Sequence, residues 1–210
     1  MKKMFNRHSP ALPFQTDFRI ICGKRVLLAS SFFFLTGISS GVFLEMTIGT
    51  SEKSALAEYL HEYLSASASE VSCSSLFFAS LANNLLLLLI IFLAGFSVFG
   101  FPIAPAVLAY KGLALGFCTG LVAETLKNKG ILLIAATLLP QHIILIPVFI
   151  MAASAASCYG LSVIKQNRLP SKKNPNLSSG SYVLLMIFFA LSAGLACALE
   201  AILAPIVLSP

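Results

Sequence analysis

Residues 71–110 read VSCSSLFFASLANNLLLLLIIFLAGFSVFGFPIAPAVLAY: 40 residues between Glu70 and Lys111 without one charged side chain. A helix rises about 1.5 Å per residue and the hydrocarbon core of a bilayer is about 30 Å thick, so about 20 apolar residues cross it once. The stretch is too long for one crossing and must turn. Gly100-Phe101-Pro102 and Pro105 supply the breakers, because proline removes an N–H and restricts the residue before it. This places spans at about 77–99 and 103–123, with a re-entrant hairpin over 101–123 as the alternative.

Outward from this stretch, three more runs lack charge: 19 residues between Arg25 and Glu45, 35 between Lys129 and Lys165, and 26 between Lys173 and Glu200. They place a first span at about 26–44 and a last one at about 181–207. As one helix, the 130–164 run would stretch about 52 Å, longer than the bilayer core. Pro140 and Pro147 are therefore expected to kink or interrupt it, unless its end protrudes. None of the runs alternates as a transmembrane β-strand would. The expected fold is all-α: a multi-span integral membrane bundle of about five helices with proline-broken segments. It forms a single membrane domain, 26–210, behind a basic cytoplasmic tail, 1–25.

Composition agrees. Of 210 residues 58% are hydrophobic and 10% charged, against about 25% charged in soluble domains. A soluble domain of this size still exposes about a third of its unfolded-chain surface, too much to keep so apolar a chain in water. The net charge of +6 does not signal nucleic acid. Lys2, Lys3, Arg7, Arg19, Lys24 and Arg25 precede the first span, and Lys165, Arg168, Lys172 and Lys173 share one loop. Basic clusters beside apolar runs set topology and meet anionic lipid headgroups, and no zinc-finger or RNA-binding motif accompanies them. Both clusters belong in the cytoplasm, which puts residues 45–75 outside. Lys127 and Lys129 then fall on the outer face, near Glu124.

The outer segment carries Glu45, Glu52, Glu58, Glu62 and Glu70 against Lys53. Within it Leu56, Tyr59, Leu60, Tyr63 and Leu64 recur at three- and four-residue spacing, the apolar stripe of an amphipathic helix with Ser51 as its N-cap. Stripes that lie in headgroups are usually rich in Lys and Arg. This one is acidic, so it is expected to meet a partner protein or the bundle.

Ionisable groups inside spans cost about 2.5–3.5 kcal/mol on insertion scales and count first as functional candidates. Lys111 and Glu200 are two such groups. A contact between them would offset both costs and make a polar lock or an ion pathway. In the alternative, Lys111 snorkels and Glu200 sits near the outer interface. Asn83-Asn84 and Gln141-His142, after Pro140, are expected to hydrogen-bond neighbouring helices or backbone freed by proline. A lone intramembrane histidine is no metal site. Cys22, Cys73, Cys118, Cys158 and Cys197 are scattered singly, which indicates neither disulfides nor metal. Gly37 with Gly41, and Gly112, Gly116 and Gly120, form G-x-x-x-G steps suited to close helix packing, as does Ala152-Ala153 with Ala155-Ala156. No H-E-x-x-H, G-x-S-x-G or phosphate-loop motif occurs, so neither catalytic residue nor cofactor is expected.

One ordered set of residues carries a family likeness. It runs Asn83-Asn84, Gly95, Gly100-Phe101-Pro102, Tyr110-Lys111-Gly112, Gly116-Phe117, Gly120, Lys129-Gly130 and then 139–147, Leu-Pro-Gln-His-Ile-Ile-Leu-Ile-Pro. This resembles the stage II sporulation protein M family of spore-forming bacteria, closely over about 80–160 and in layout elsewhere. The Lys-Gly step and the Leu-Pro-Gln run closed by Pro147 are its specific parts. The resemblance implies a non-catalytic membrane scaffold for forespore engulfment. It would anchor a peptidoglycan-degrading complex with stage II sporulation proteins D and P at the septum and in the engulfing mother-cell membrane. The competing expectation is a transporter or permease subunit, since proline-broken helices with buried polar groups build midplane sites. Five spans are few for one, so a homo-oligomer would have to supply the rest.

Overall fold

Where charges and prolines interrupt the apolar runs, the helices start and stop. The computed structural model describes residues 24–49, 51–56, 58, 73–97, 100–133, 139–168 and 179–208. These form α1 (Lys24–Thr47), α2 (Cys73–Phe96), α3 (Gly100–Leu133), α4 (Leu139–Arg168) and α5 (Ser179–Leu208), with no strand among the described residues. All five are long and apolar enough to cross a membrane. The protein is an all-α, multi-span membrane bundle.

The structure sharpens three boundaries. First, the expected turn is there and falls just before Gly100: α3 opens at Gly100, with Pro102 and Pro105 inside it. Proline is tolerated in a first turn, where N–H groups lack intrahelical partners anyway. The turn before it is tight. Ser97 donates to the Ala94 carbonyl and Gly100 to the Ser97 carbonyl, each at 3.0 Å. A Cβ on Gly100 would fall on the Ala94 carbonyl.

Second, Lys127, Lys129 and Gly130 belong to α3, which is one helix through Leu133 with no re-entrant hairpin. At 34 residues it is about 51 Å long. Its charged end projects past the apolar span Gly100–Glu124, and outside the core a lysine-bearing turn costs a helix nothing. Third, Pro140 is the second residue of α4 and Pro147 lies within it, so neither divides the helix.

α4 packs against each of the other four helices. Of its apolar span 61% is buried, against 22–33% for the others. Ala152, Ala153, Ala155 and Ala156 have no exposed surface, and these small side chains let the neighbouring helices approach α4 closely. Leu145 and Phe149 of α4 join Ile91, Leu108, Met186 and Phe189 of its neighbours to complete the core.

The most extensive pairing is α1 with α3, and glycine makes it. A Cβ on Gly37 would strike the Ala109 backbone, and one on Gly41 the Leu113 backbone. In return Gly112 lies against the Phe34 backbone and Gly116 against Ile38. The residue numbers rise together along both helices, so the two run parallel, backbone against backbone. Gly120, the last of the series, makes room for the Glu45 side chain.

At the opposite end of the bundle an aromatic cluster joins α2, α4 and α5. Tyr159 and Tyr182 stack at 4.4 Å, with Phe96 edge-on to both at 5.4 Å. Tyr182 donates to the Phe92 carbonyl at 3.0 Å, and Tyr159 and Ser179 share a hydrogen bond of 2.9 Å. Gly95 leaves the space that the Tyr182 hydroxyl fills. Aromatic residues with a polar tip suit a membrane–water boundary.

The outer segment is seen only at its start. Residues 51–56 are helical, and the N-cap is Gly49 rather than Ser51. The Gly49 carbonyl accepts from the Lys53 N–H at 3.0 Å, while the Gly49 N–H donates back to Glu52 Oε2 at 3.3 Å. That is the reciprocal half of a capping box, which a glutamate three residues past the cap can supply. Leu56 is half-buried; Tyr59, Leu60, Tyr63 and Leu64 lie outside the described residues.

Candidate functional site

A polar side chain inside a span needs a partner on a neighbouring helix, because no water is present to serve as one. Four helices meet this need together. Ser80 and Asn84 stand one turn apart on α2 and so share a face. Lys111 comes from α3, Gln141 from the first turn of α4, and Cys197 with Glu200 from α5.

Lys111 Nζ donates to Asn84 Oδ1 at 2.6 Å. The Asn84 amide then donates to the Ser80 carbonyl at 2.9 Å and to Cys197 Sγ at 3.4 Å. Ser80 Oγ donates to Glu200 Oε2 and receives Gln141 Nε2 at 3.1 Å. Asn84 and Gln141 are each only 3% exposed. The Lys111 ammonium also lies over the Phe149 ring, 5.3 Å from its centroid, an additional attraction for a desolvated cation.

Lys111 and Glu200 thus belong to one network, but not as a direct ion pair: Asn84 and Ser80 stand between them. The reason is lateral distance. α3 and α5 both pack on α4 and α2, and α2 supplies the bridging groups. His142 borders the same place from α4. With Lys111, Phe34 and Phe149 it lines a recess of about 10 Å³, scarcely room for one water.

The remaining candidates lie elsewhere. Gly112 is buried beneath the Phe34 backbone in the α1–α3 seam, next to Lys111 in sequence. Pro147 is exposed on α4, and Pro140 sits at that helix's start. Asn83 is exposed on the lipid-facing side of α2, away from the network. Ser80, Cys197 and Phe149 were not singled out by sequence. The i, i+4 step from Ser80 to Asn84 and the i, i+3 step from Cys197 to Glu200 were the available signals.

A second charged cluster lies at the end of the bundle opposite the stacked tyrosines. Lys53 Nζ is 2.9 Å from Glu45 Oε1 and 2.6 Å from Glu124 Oε2, tying the outer segment to α1 and α3. The Glu45 side chain is 5% exposed and that of Glu124 58%. Hydrogen bonding to Glu124, then to Glu45, holds the Lys53 ammonium above the ordinary lysine range.

A family model, stage II sporulation protein M, matches residues 30–205, through all five helices. The chain belongs to the stage II sporulation protein M family. It is a sporulation-related, multi-pass membrane protein. Searches of curated proteins and of solved structures gave no match. In this member of the stage II sporulation protein M family, the polar network, the glycine seam and the Glu45–Lys53–Glu124 cluster all lie within the matched region. Chemically the network is a brace. Each donor in it points at an acceptor on a neighbouring helix or in its own turn, and interhelical hydrogen bonds of this kind contribute about 0.6–2 kcal/mol each.

Proposed function

We propose that the chain is a non-catalytic membrane scaffold for forespore engulfment, one that anchors and localises a peptidoglycan-degrading complex at the septum. The reading rests on the family match through all five helices. It is supported by the polar groups of the spans, which bind one another across four helices and so stiffen the bundle. A rigid anchor needs that. In this reading the segment that Lys53 fastens to α1 and α3 is the one that meets wall-degrading partners, with stage II sporulation proteins D and P as the expected ones.

The test is co-purification from sporulating cells. Full-length chain should bring down both partners, and its deletion should disperse them from the septum and stall engulfment. Partners that still localise without it would sink the scaffold reading. Solute flux through the purified protein in liposomes, abolished by Lys111→Met, would favour a transporter instead.

A further inference from the structure

α2 presents to the lipid a face that its own bundle leaves uncovered. Ala79, Asn83, Leu86, Ile90 and Leu93 are all exposed, at 58% for Leu86, 39% for Ile90 and 56% for Leu93. Their spacing alternates four and three residues. This is the heptad seam of a two-stranded coil, with Asn83 and Ile90 at a positions and Ala79, Leu86 and Leu93 at d positions. Isoleucine at a with leucine at d favours parallel pairs, and one asparagine at an a position fixes register and strand number.

Asn83 is the decisive residue. It lies six residues inside Phe77, the first residue of the span, which is about 9 Å along the helix. Other exposed polar groups are satisfied locally: the hydroxyls of Ser39 and Ser40 donate to the carbonyls of Leu35 and Thr36 on their own helix. The Asn83 carboxamide has no hydrogen-bond partner among the described residues. An amide left facing hydrocarbon is unfavourable, whereas one bonded across a helix interface stabilises it.

We propose that this face of α2 is the seam of a two-fold homodimer in the membrane, with Asn83 paired to Asn83 of a second copy. Insertion gives every copy the same orientation, so the two-fold axis lies along the membrane normal. The two α2 helices then run parallel, and each residue on the axis meets its own equivalent at equal depth. A carboxamide is self-complementary, one oxygen accepting and one NH2 donating, so two at equal depth satisfy each other reciprocally. A different partner would have to bring its own polar group to that depth. Beside the seam, a groove of about 450 Å³ between α2 and α5, lined in part by Leu86, Leu89, Met186 and Ile187, leaves space for the second copy's side chains.

The test uses the full-length chain in native membranes, freed of its own cysteines. Single cysteines at Leu86, Ile90 or Leu93 should give disulfide-linked dimers on oxidation, several-fold more than cysteines at the equally exposed Phe43 or Phe188. In lipid vesicles, energy transfer between labelled copies should show Asn83→Leu weakening dimerisation by about 3- to 30-fold, with Asn83→Gln retaining it. The proposal is overturned by cross-linking that ignores position, by linkage only to a different protein, or by Asn83→Leu copies that associate like wild type.

Discussion

Lys111 and Asn84 show how one hydrogen bond governs the behaviour of a charge in the bilayer. The lysine donates at 2.6 Å to an asparagine that is itself held by Ser80 and Cys197. Lys111→Leu removes the charge with its insertion cost, so membrane insertion should be unimpaired, while the brace loses about 1–2 kcal/mol. Asn84→Leu should be worse, by about 3 kcal/mol, because it strands the ammonium without its acceptor. The double variant should then lose less than the two singles together, as thermal unfolding in detergent would register. Strict additivity would mean that the two side chains act independently. At the outer end, Lys53→Met should lower the unfolding temperature more than Glu124→Gln, since it leaves the buried Glu45 carboxylate unpaired. The folded-state value of Lys53 is raised, so its contribution is complete below the ordinary lysine value of 10.5 and is lost as pH rises through the folded value. Between pH 6 and 9 the Lys53 contribution should therefore leave no slope in stability, and a decline should begin only in more alkaline buffer.

Among the helices, the glycine seam and Gly194 of α5 make opposite predictions from the same substitution. Gly41→Ala places a Cβ on the Leu113 backbone, which cannot rotate away, so α1 must shift off α3. A loss of about 1–3 kcal/mol is expected. Gly194 meets only the end of Leu81, at 3.8 Å. Gly194→Ala should be neutral or stabilising by up to about 1 kcal/mol, from helix propensity alone. Melting of both variants decides it. Equal effects would mean that the α1–α3 approach is looser than drawn. Pro102 and Pro140 carry the complementary lesson. Both were readable as interruptions, yet each lies in a first turn, where proline starts a helix.

For the whole molecule, orientation is the first prediction. Five spans with basic segments at 1–25 and 165–173 put the Lys53 cluster outside and the Tyr159–Tyr182 cluster at the cytoplasmic boundary. In a cysteine-free background, an impermeant thiol reagent applied to sealed cells should label Ser51→Cys and spare Ser179→Cys; the reverse pattern would invert the protein. The outer stripe supplies the second. Tyr59→Ser with Tyr63→Ser should leave insertion intact and weaken co-purification with the wall-degrading partners. Unchanged co-purification and engulfment would move the docking surface into the spans.

Sequence alone determined the number of spans, the helical class and the polar candidates within them, Asn83, Asn84, Lys111, Gln141, His142 and Glu200. Charge spacing and residue polarity are one-dimensional, and a bilayer converts them directly into depth. It also marked the G-x-x-x-G steps without saying which helices they join. Tertiary structure alone decided that Gly37 and Gly41 of α1 share one parallel seam with Gly112 and Gly116 of α3, each set against the other helix's backbone. It alone decided that Ser80 stands between Gln141 and Glu200, and that of two adjacent asparagines one is buried and the other faces lipid. Depth does not specify direction around a helix axis. That angle is set by which neighbours pack on each side, and only the assembled bundle contains them.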